Sequence, residues 1–198
     1  MSRTIKYRSS KTREETPLLF VMGDGESECK YFDDLNGMVK RIRIRPRELG
    51  VTGWQKIIEK CDGHVTSREV DLKHGDRLAI VTDEDGRYDS DSITLFQKEC
   101  DRKGYELMLS NKSFEVWLLM HYESFTVPYT QDELENKLTE HLGKEYRKSN
   151  GIPFNISMVR FARDNSERNL PGKSNLDCFR TNPSTRLHLL IDDILDKE

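Results

Sequence analysis

An α/β fold, a parallel sheet flanked by helices, is what this sequence predicts, and three observations predict it. Short, wholly apolar runs recur at Leu18–Met22 and Leu78–Val81, the pattern of strands buried on both faces. Segments of helical periodicity separate the strands, and strands regularly separated by helices call for a parallel, doubly wound sheet with right-handed crossovers. Carboxylates follow two of the strands at once, where open α/β sheets bind their ligands. A length of 198 residues suits one well-packed domain with a small annex.

The elements follow in order. A basic arm (Arg3, Lys6, Arg8, Lys11, Arg13) precedes the first strand, which Gly23 and Gly25 bound. A helix runs from Ser27 to about Asn36 and stops at Gly37. Val39 to Arg45 alternates, with Ile42 and Ile44 on one side and Arg41, Arg43 and Arg45 on the other. That period of two predicts a strand with a basic outer face, ended by Pro46. Thr52 to Asp62 carries Trp54, Ile57, Ile58 and Cys61 on one helical stripe. Arg77 to Thr82 is a third strand, 83–89 a loop, Ser90 to Lys103 a helix closed by Gly104, and Tyr105 to Leu109 a fourth strand. Phe114 to Tyr122 is a nearly all-apolar helix interrupted by Glu115 and by His121, read as a satisfied, partly buried histidine.

After about residue 124 the pattern turns helical. Gln131 to Leu142 and Asn155 to Arg168 are amphipathic helices. The last helix has Asn182 as N-cap and Pro183 at its first position, with Leu187, Leu190, Ile191, Ile194 and Leu195 on one face. Glu167 to Pro183 reads as a long loop. The organisation is therefore an arm (1–16), an α/β core (17–123) and a helical C-terminal part packed on it (124–198).

Composition excludes several classes of function. The 32 basic and 35 acidic residues leave a net charge of −3, so charge in bulk cannot grip nucleic acid. No apolar run approaches the roughly 18 residues of a membrane span. The first 17 residues lack the apolar core of a secretory signal. The four cysteines are scattered, so reduced packing residues are expected, and a cytoplasmic location with them.

The first strand leads into Gly23-Asp24-Gly25-Glu26-Ser27-Glu28 and the third into Asp83-Glu84-Asp85-Gly86, with Asp89 and Asp91 behind. In extended chain Asp83 and Asp85 point the same way. Hard divalent cations take oxygen ligands and need only one or two carboxylates; the alternative for either cluster is a solvated loop. Gly23-x-Gly25 lacks the third glycine of a dinucleotide fingerprint and the lysine of a P-loop, so those two nucleotide sites are excluded and the glycines are read as a sharp turn. Glu115, among apolar neighbours, needs a partner if buried, or else it serves the helix dipole.

Four elements in order resemble the RloB-like proteins. They are Leu19 to Phe32 (Leu-Phe-Val-Met-Gly-Asp-Gly-Glu-Ser-Glu-Cys-Lys-Tyr-Phe), Val81-Thr82-Asp83-Glu84-Asp85, Ser110 to Tyr122, and Asn182-Pro183-Ser184-Thr185-Arg186-Leu187-His188. The resemblance spans residues 19–188. RloB-like proteins are similar to the Toprim superfamily of primases, type IA and II topoisomerases and OLD-type nucleases. This implies a Rossmann-like sheet, an acidic residue after the first strand, a DxD after a later one, and nucleic-acid cleavage in antiviral defence (abortive infection), often beside an AAA-type ATPase. Asp24 stands where the family usually has Glu, which leaves Glu28 able to share or take its role, and Lys112 replaces a usual proline.

These readings combine into an expected Mg²⁺- (or Mn²⁺-) dependent nuclease acting on RNA, tRNA included, or DNA. Asp83 and Asp85 are the expected metal ligands, Asp24 a ligand or general base with Glu28 beside it, and Glu115 a further ligand or support. Phosphates are expected to meet Arg41, Arg43, Arg45, Lys144, Arg147, Lys148, Arg160 and Arg163, with Tyr146 as a stacking or packing residue. Nucleic acid is the expected partner, then an AAA-type ATPase and a second copy of the chain in a homodimer; no membrane is expected. The alternatives are a non-catalytic module that binds nucleic acid or an ATPase partner, and nucleotidyl transfer, for which no triphosphate site is legible.

Overall fold

The computed structural model describes residues 16–170 and 174–196; the basic arm lies outside the described residues. Five strands, β1 (Leu18–Gly23), β2 (Arg43–Glu48), β3 (Arg77–Asp83), β4 (Glu106–Asn111) and β5 (Ser184–Thr185), form one sheet in the order β2-β1-β3-β4-β5. The first four are parallel and β5 is antiparallel to β4. The described residues also hold eight α-helices: α1 (Glu26–Asn36), α2 (Trp54–Thr66), α3 (Ser90–Lys103), α4 (Glu115–Leu119), α5 (Gln131–Leu142), α6 (Ile156–Asn169), α7 (Asn175–Arg180) and α8 (Leu187–Leu195).

The apolar runs do not alternate because the central strands are covered on both faces. Leu19, Val21, Ala79, Val81 and Met108 enter one core with α1, α4, α5, α6 and α8. Leu18, Phe20, Met22, Leu78, Ile80, Leu107 and Leu109 enter the other with α2, α3 and Cys178 of α7. This is the α/β, Rossmann-like architecture that the sequence predicts. The residues after 124 lie on it: Leu134, Leu138, Val159, Ala162, Leu190 and Ile194 share a core with the sheet. Local signals also hold. Asp89 caps α3 by accepting the Ser92 N–H at 2.7 Å, and Gly104 closes the helix at φ 74°.

Three expectations are corrected. Pro46 does not end the second strand, which starts later, at Arg43, and runs through Pro46 to Glu48. It is an edge strand, where a missing N–H is tolerated. Asn182 and Pro183 do not start the last helix, which begins at Leu187. Between them lies β5, whose Thr185 hydroxyl meets Ser110 Oγ at 3.0 Å while Ser184 Oγ donates to the Thr181 carbonyl at 2.6 Å. The buried Ser110 contact and the backbone pairing of Ser184 and Thr185 with the free edge of β4 outweigh the local helix-start pattern, and they add an antiparallel strand to a sheet expected to be parallel. Finally, the segment 167–183 is not all loop. It contains α7, with Ser174 as cap, and Asn175 bonds the β4 backbone at Leu107 O (2.8 Å) and Leu109 N (3.1 Å).

His121 is buried more deeply than expected, at 2 % exposure. Its Nδ1 donates to the Trp117 carbonyl at 2.9 Å, and the Tyr31 hydroxyl donates to Nε2 at 3.3 Å. Burial pushes its pKa down to about 4, whereas an unfolded histidine titrates near 6.5. The folded state thus resists a proton that the unfolded state accepts. The stability held by neutral His121 is complete above about pH 6.5 and is lost as pH falls towards about 4, by something on the order of 3 kcal/mol. Urea melts at about pH 7 and pH 4.5 should show His121→Gln losing less stability on acidification than wild type.

Candidate functional site

The chain leaves β1 towards β2 on one side and returns as β3 on the other, so the crevice beyond the ends of β1 and β3 is a topological switch point. Asp24 follows β1 directly and Asp83 is the last residue of β3. Glu28 is in the first turn of α1 and Glu115 opens α4. These four carboxylates, from α1, β3, α4 and the β1–α1 connection, line one cleft of about 120 Å³ together with Arg87 and Lys148.

Gly23 makes the convergence physically allowed. A Cβ added there would fall 2.7 Å from the Glu28 Cβ, so only glycine lets the first turn of α1 cross the strand end. Glu28 then folds back, its Oε2 accepting the Gly25 N–H at 3.1 Å. The chain bends at Asp24 and Gly25 between β1 and α1, as expected, but neither Gly23 nor Gly25 uses a positive φ to do so. Gly23 serves a close approach, and Gly25 is the extended N-cap of α1 at φ −155°.

Two cations from distant segments hold the rim. Arg87 Nη1 meets Asp24 Oδ2 at 2.6 Å, and Nη2 lies 3.6 Å from Asp85 Oδ2. Lys148 Nζ lies 3.4 Å from Glu115 Oε1, to which the Tyr146 hydroxyl also donates at 3.1 Å. Part of the negative charge is therefore balanced by the chain itself. The sequence-level reading missed Arg87; its one local sign is the Asp85-Gly86 turn, which reverses the chain behind Asp83. Tyr146 packs and hydrogen-bonds rather than offering a free ring for stacking.

The carboxylates are electrostatically unequal. Burial, then the charges of Glu115 and Asp24, raise Glu28 to about 7. Burial and the charges of Glu28, Glu115 and Asp24 push Asp83 well above the usual range. Burial works to raise Glu115 as well, but the Lys148 ammonium and hydrogen bonds outweigh it and hold that carboxyl below its ordinary value. Asp83 Oδ1 is buried without a hydrogen-bond partner. A buried, unpaired oxygen at a strand end is the kind of polar group that a ligand satisfies.

Asp85 does not join the set. The extended chain assumed for Asp83 and Asp85 ends at Asp83; Asp85 sits in a turn at φ 37° with its side chain 52 % exposed. Of the expected phosphate-binding residues, Lys148 lines the cleft, and Arg43 and Arg45 line a groove beside it. Arg41 is exposed just ahead of β2. Lys144, Arg147, Arg160 and Arg163 line neither; Arg147 pairs with Glu145 at 2.8 Å, and Arg163 with Asp192 at 3.2 Å.

Among the described residues no three His, Cys, Asp or Glu side chains stand as a ready-made metal set. The donor chemistry nonetheless fits a hard cation. The cleft's donor atoms are carboxylate oxygens and the Ser27 hydroxyl, all hard oxygen ligands, one carboxylate oxygen being an orphan, in a crowd of like charges that a cation would relieve. No helix among the described residues is long and apolar enough to cross a membrane. The family model for RloB-like protein matches residues 19–194. No curated protein and no solved structure matches the chain.

Proposed function

The chain belongs to the RloB-like protein family, and from this membership and its carboxylate cleft we propose a metal-dependent nuclease that hydrolyses phosphodiester bonds of RNA or DNA in antiviral defence. The observation that carries the reading is the meeting of Asp24, Glu28, Asp83 and Glu115, from segments distant in sequence, at the switch point of the sheet. Asp24, Glu28 and Asp83 would hold Mg²⁺ or Mn²⁺, which supplies charge neutralisation and an activated water when bound. Arg87 must release Asp24 for that carboxylate to serve, and its planar fork then suits two phosphoryl oxygens. Lys148, which lines the same cleft, would supply a second positive charge to a bound phosphate. Tyr146 fixes Glu115 from behind.

The test is incubation of the purified chain with single-stranded and duplex DNA, total RNA and tRNA in Mg²⁺, Mn²⁺ or EDTA. Cleavage with either metal and none in EDTA is the expected result; cleavage indifferent to EDTA rejects the metal. One observation favours a second reading, a module that binds nucleic acid without cutting it: Arg87 and Lys148 already neutralise part of the cluster. Binding without cleavage under every condition would select it.

Lys148 gives an independent check. Because Glu115 is held below its ordinary pKa, its contribution to stability is present above about pH 4.5 and lost as pH falls through its lowered value. Lys148→Met should therefore lower stability at neutral pH, by about 1 kcal/mol or less for so exposed an ammonium. The difference from wild type should close on acidification, read as melting temperature against pH.

A further inference from the structure

Beside the cleft, a groove of about 570 Å³ runs between α1 and the edge strand β2. Lys30, its ammonium paired with Asp34, and Asp33 line the α1 wall, and the edge strand from Arg43 to Glu48 lines the other. Ile44 packs under α1, so Arg43, Arg45 and Arg47, paired with Leu18, Phe20 and Met22, rise from the opposite face and border the groove along the outer edge of the sheet. Glu26 lines both the groove and the carboxylate cleft, and Ser149 of the groove follows Lys148 of the cleft in sequence. The two are one continuous surface.

A polymer can use an exposed sheet edge in two ways. A peptide adds as another strand, which requires outward backbone donors. Here the Arg43 N–H is turned to the Pro17 carbonyl at 3.0 Å, so the alternate residues 44 and 46 face outward. The Ile44 N–H is taken by Asn36 Oδ1 at 2.7 Å, and Pro46 has none. Two successive donors are thus withdrawn, and strand addition is refused. The edge instead offers side-chain charge. Arg43, Arg45 and Arg47 occupy alternate positions of one strand, about 6.6 Å apart, a repeat comparable with the phosphate step of an extended nucleic-acid strand.

We propose that this groove and its outer edge are the track of a single-stranded nucleic acid, its phosphates following Arg43, Arg45 and Arg47 and its chain passing Glu26 into the carboxylate cleft. The inference rests on the nuclease reading and names its substrate class. A groove of this volume is on the scale of a small-ligand pocket of about 300–1,000 Å³, which a few nucleotides of one strand fill and a duplex does not enter.

The experiment measures binding apart from cleavage. The full chain is titrated in EDTA with fluorescent oligonucleotides, single-stranded DNA and RNA and their duplexes, over a range of salt. Wild type should bind single strands at least about tenfold more tightly than duplexes. Arg43→Gln/Arg45→Gln/Arg47→Gln should weaken single-strand binding at least about tenfold and flatten the dependence of log affinity on log salt by about 2, three contacts at about 0.7 each. The Arg→Lys triple variant should restore most of the binding, which separates lost charge from lost fold. The track is overturned by unchanged affinity and salt slope in the Gln variant, by equal duplex binding, or by no nucleic-acid binding at all. Metal-dependent cleavage that ignores the Gln variant removes the track and leaves the nuclease. Groove-dependent binding without cleavage in any metal removes the nuclease and leaves the track.

Discussion

Asp83→Asn should abolish metal-dependent hydrolysis while leaving the fold as stable as wild type or more so. The loss should reach about 10²- to 10³-fold or more, the scale of removing one charge-stabilising group from a catalytic site. The rise in stability follows from the burial of the carboxyl among Glu28, Glu115 and Asp24. An acid whose folded pKa is raised contributes fully to stability below the ordinary aspartate range near 4. It loses that contribution as pH rises through the raised value. Asparagine cannot ionise and suffers no such loss, so the variant's advantage in melting temperature should grow with pH and vanish in acid. Added Mg²⁺ should raise the melting temperature of wild type more than that of the variant, because only a ligand held by the folded state stabilises it.

Asp85→Asn is the contrast. Its side chain is half exposed and in a turn at φ 37°, a left-handed region that asparagine tolerates. Stability should move by no more than about 0.5 kcal/mol, and hydrolysis should persist. Equal collapse of activity in both variants would show that the turn closes on the site and brings Asp85 in. Wild-type activity in Asp83→Asn would remove the proposed centre altogether.

What could be read from the sequence was what local periodicity and strand ends encode. Leu18–Met22 is apolar throughout because two cores claim its alternate residues, and that leaves a mark in one dimension. Asp89 and Gly104 mark the ends of α3 because capping involves near neighbours. Asp24 and Asp83 could be picked out because ligands gather beyond the ends of parallel strands. The rest is tertiary. A two-residue strand such as β5 has no period, and Asn182-Pro183 carries a helix-start signal that the open edge of β4 overrides. Pro46 ends a strand only if the strand is central, and edge position depends on the order of the sheet. The pairing of Arg87 with Asp24, 63 residues apart, has no local trace, nor has Tyr146 on Glu115. Asp85 misled because alternation holds only while the chain stays extended.

Gly23→Ala joins fold to site and should impair both. The new methyl would fall 2.7 Å from the Glu28 Cβ, with the Cys29 N and Sγ at 3.5 Å. A Cβ is fixed to its backbone and cannot swing aside, so the first turn of α1 must lift from the end of β1. Overpacking of this kind costs about 1–3 kcal/mol. The lift also carries Glu28 away from Asp83, and a displacement of about 1 Å at a reacting centre can reduce turnover about 10²-fold. The effect is one of contact, because Gly23 has no positive φ. Gly25→Ala supplies the control two residues on. Its nearest atom is the mobile Glu28 Oε2 at 3.6 Å, and its extended φ of −155° suits any residue. It should therefore lose little stability and keep most of its activity. Thermal melts and hydrolysis rates of the two variants decide the matter. A Gly23→Ala protein that melts and cuts like wild type would show that α1 is free to shift and that the close approach at Gly23 does not set the position of Glu28.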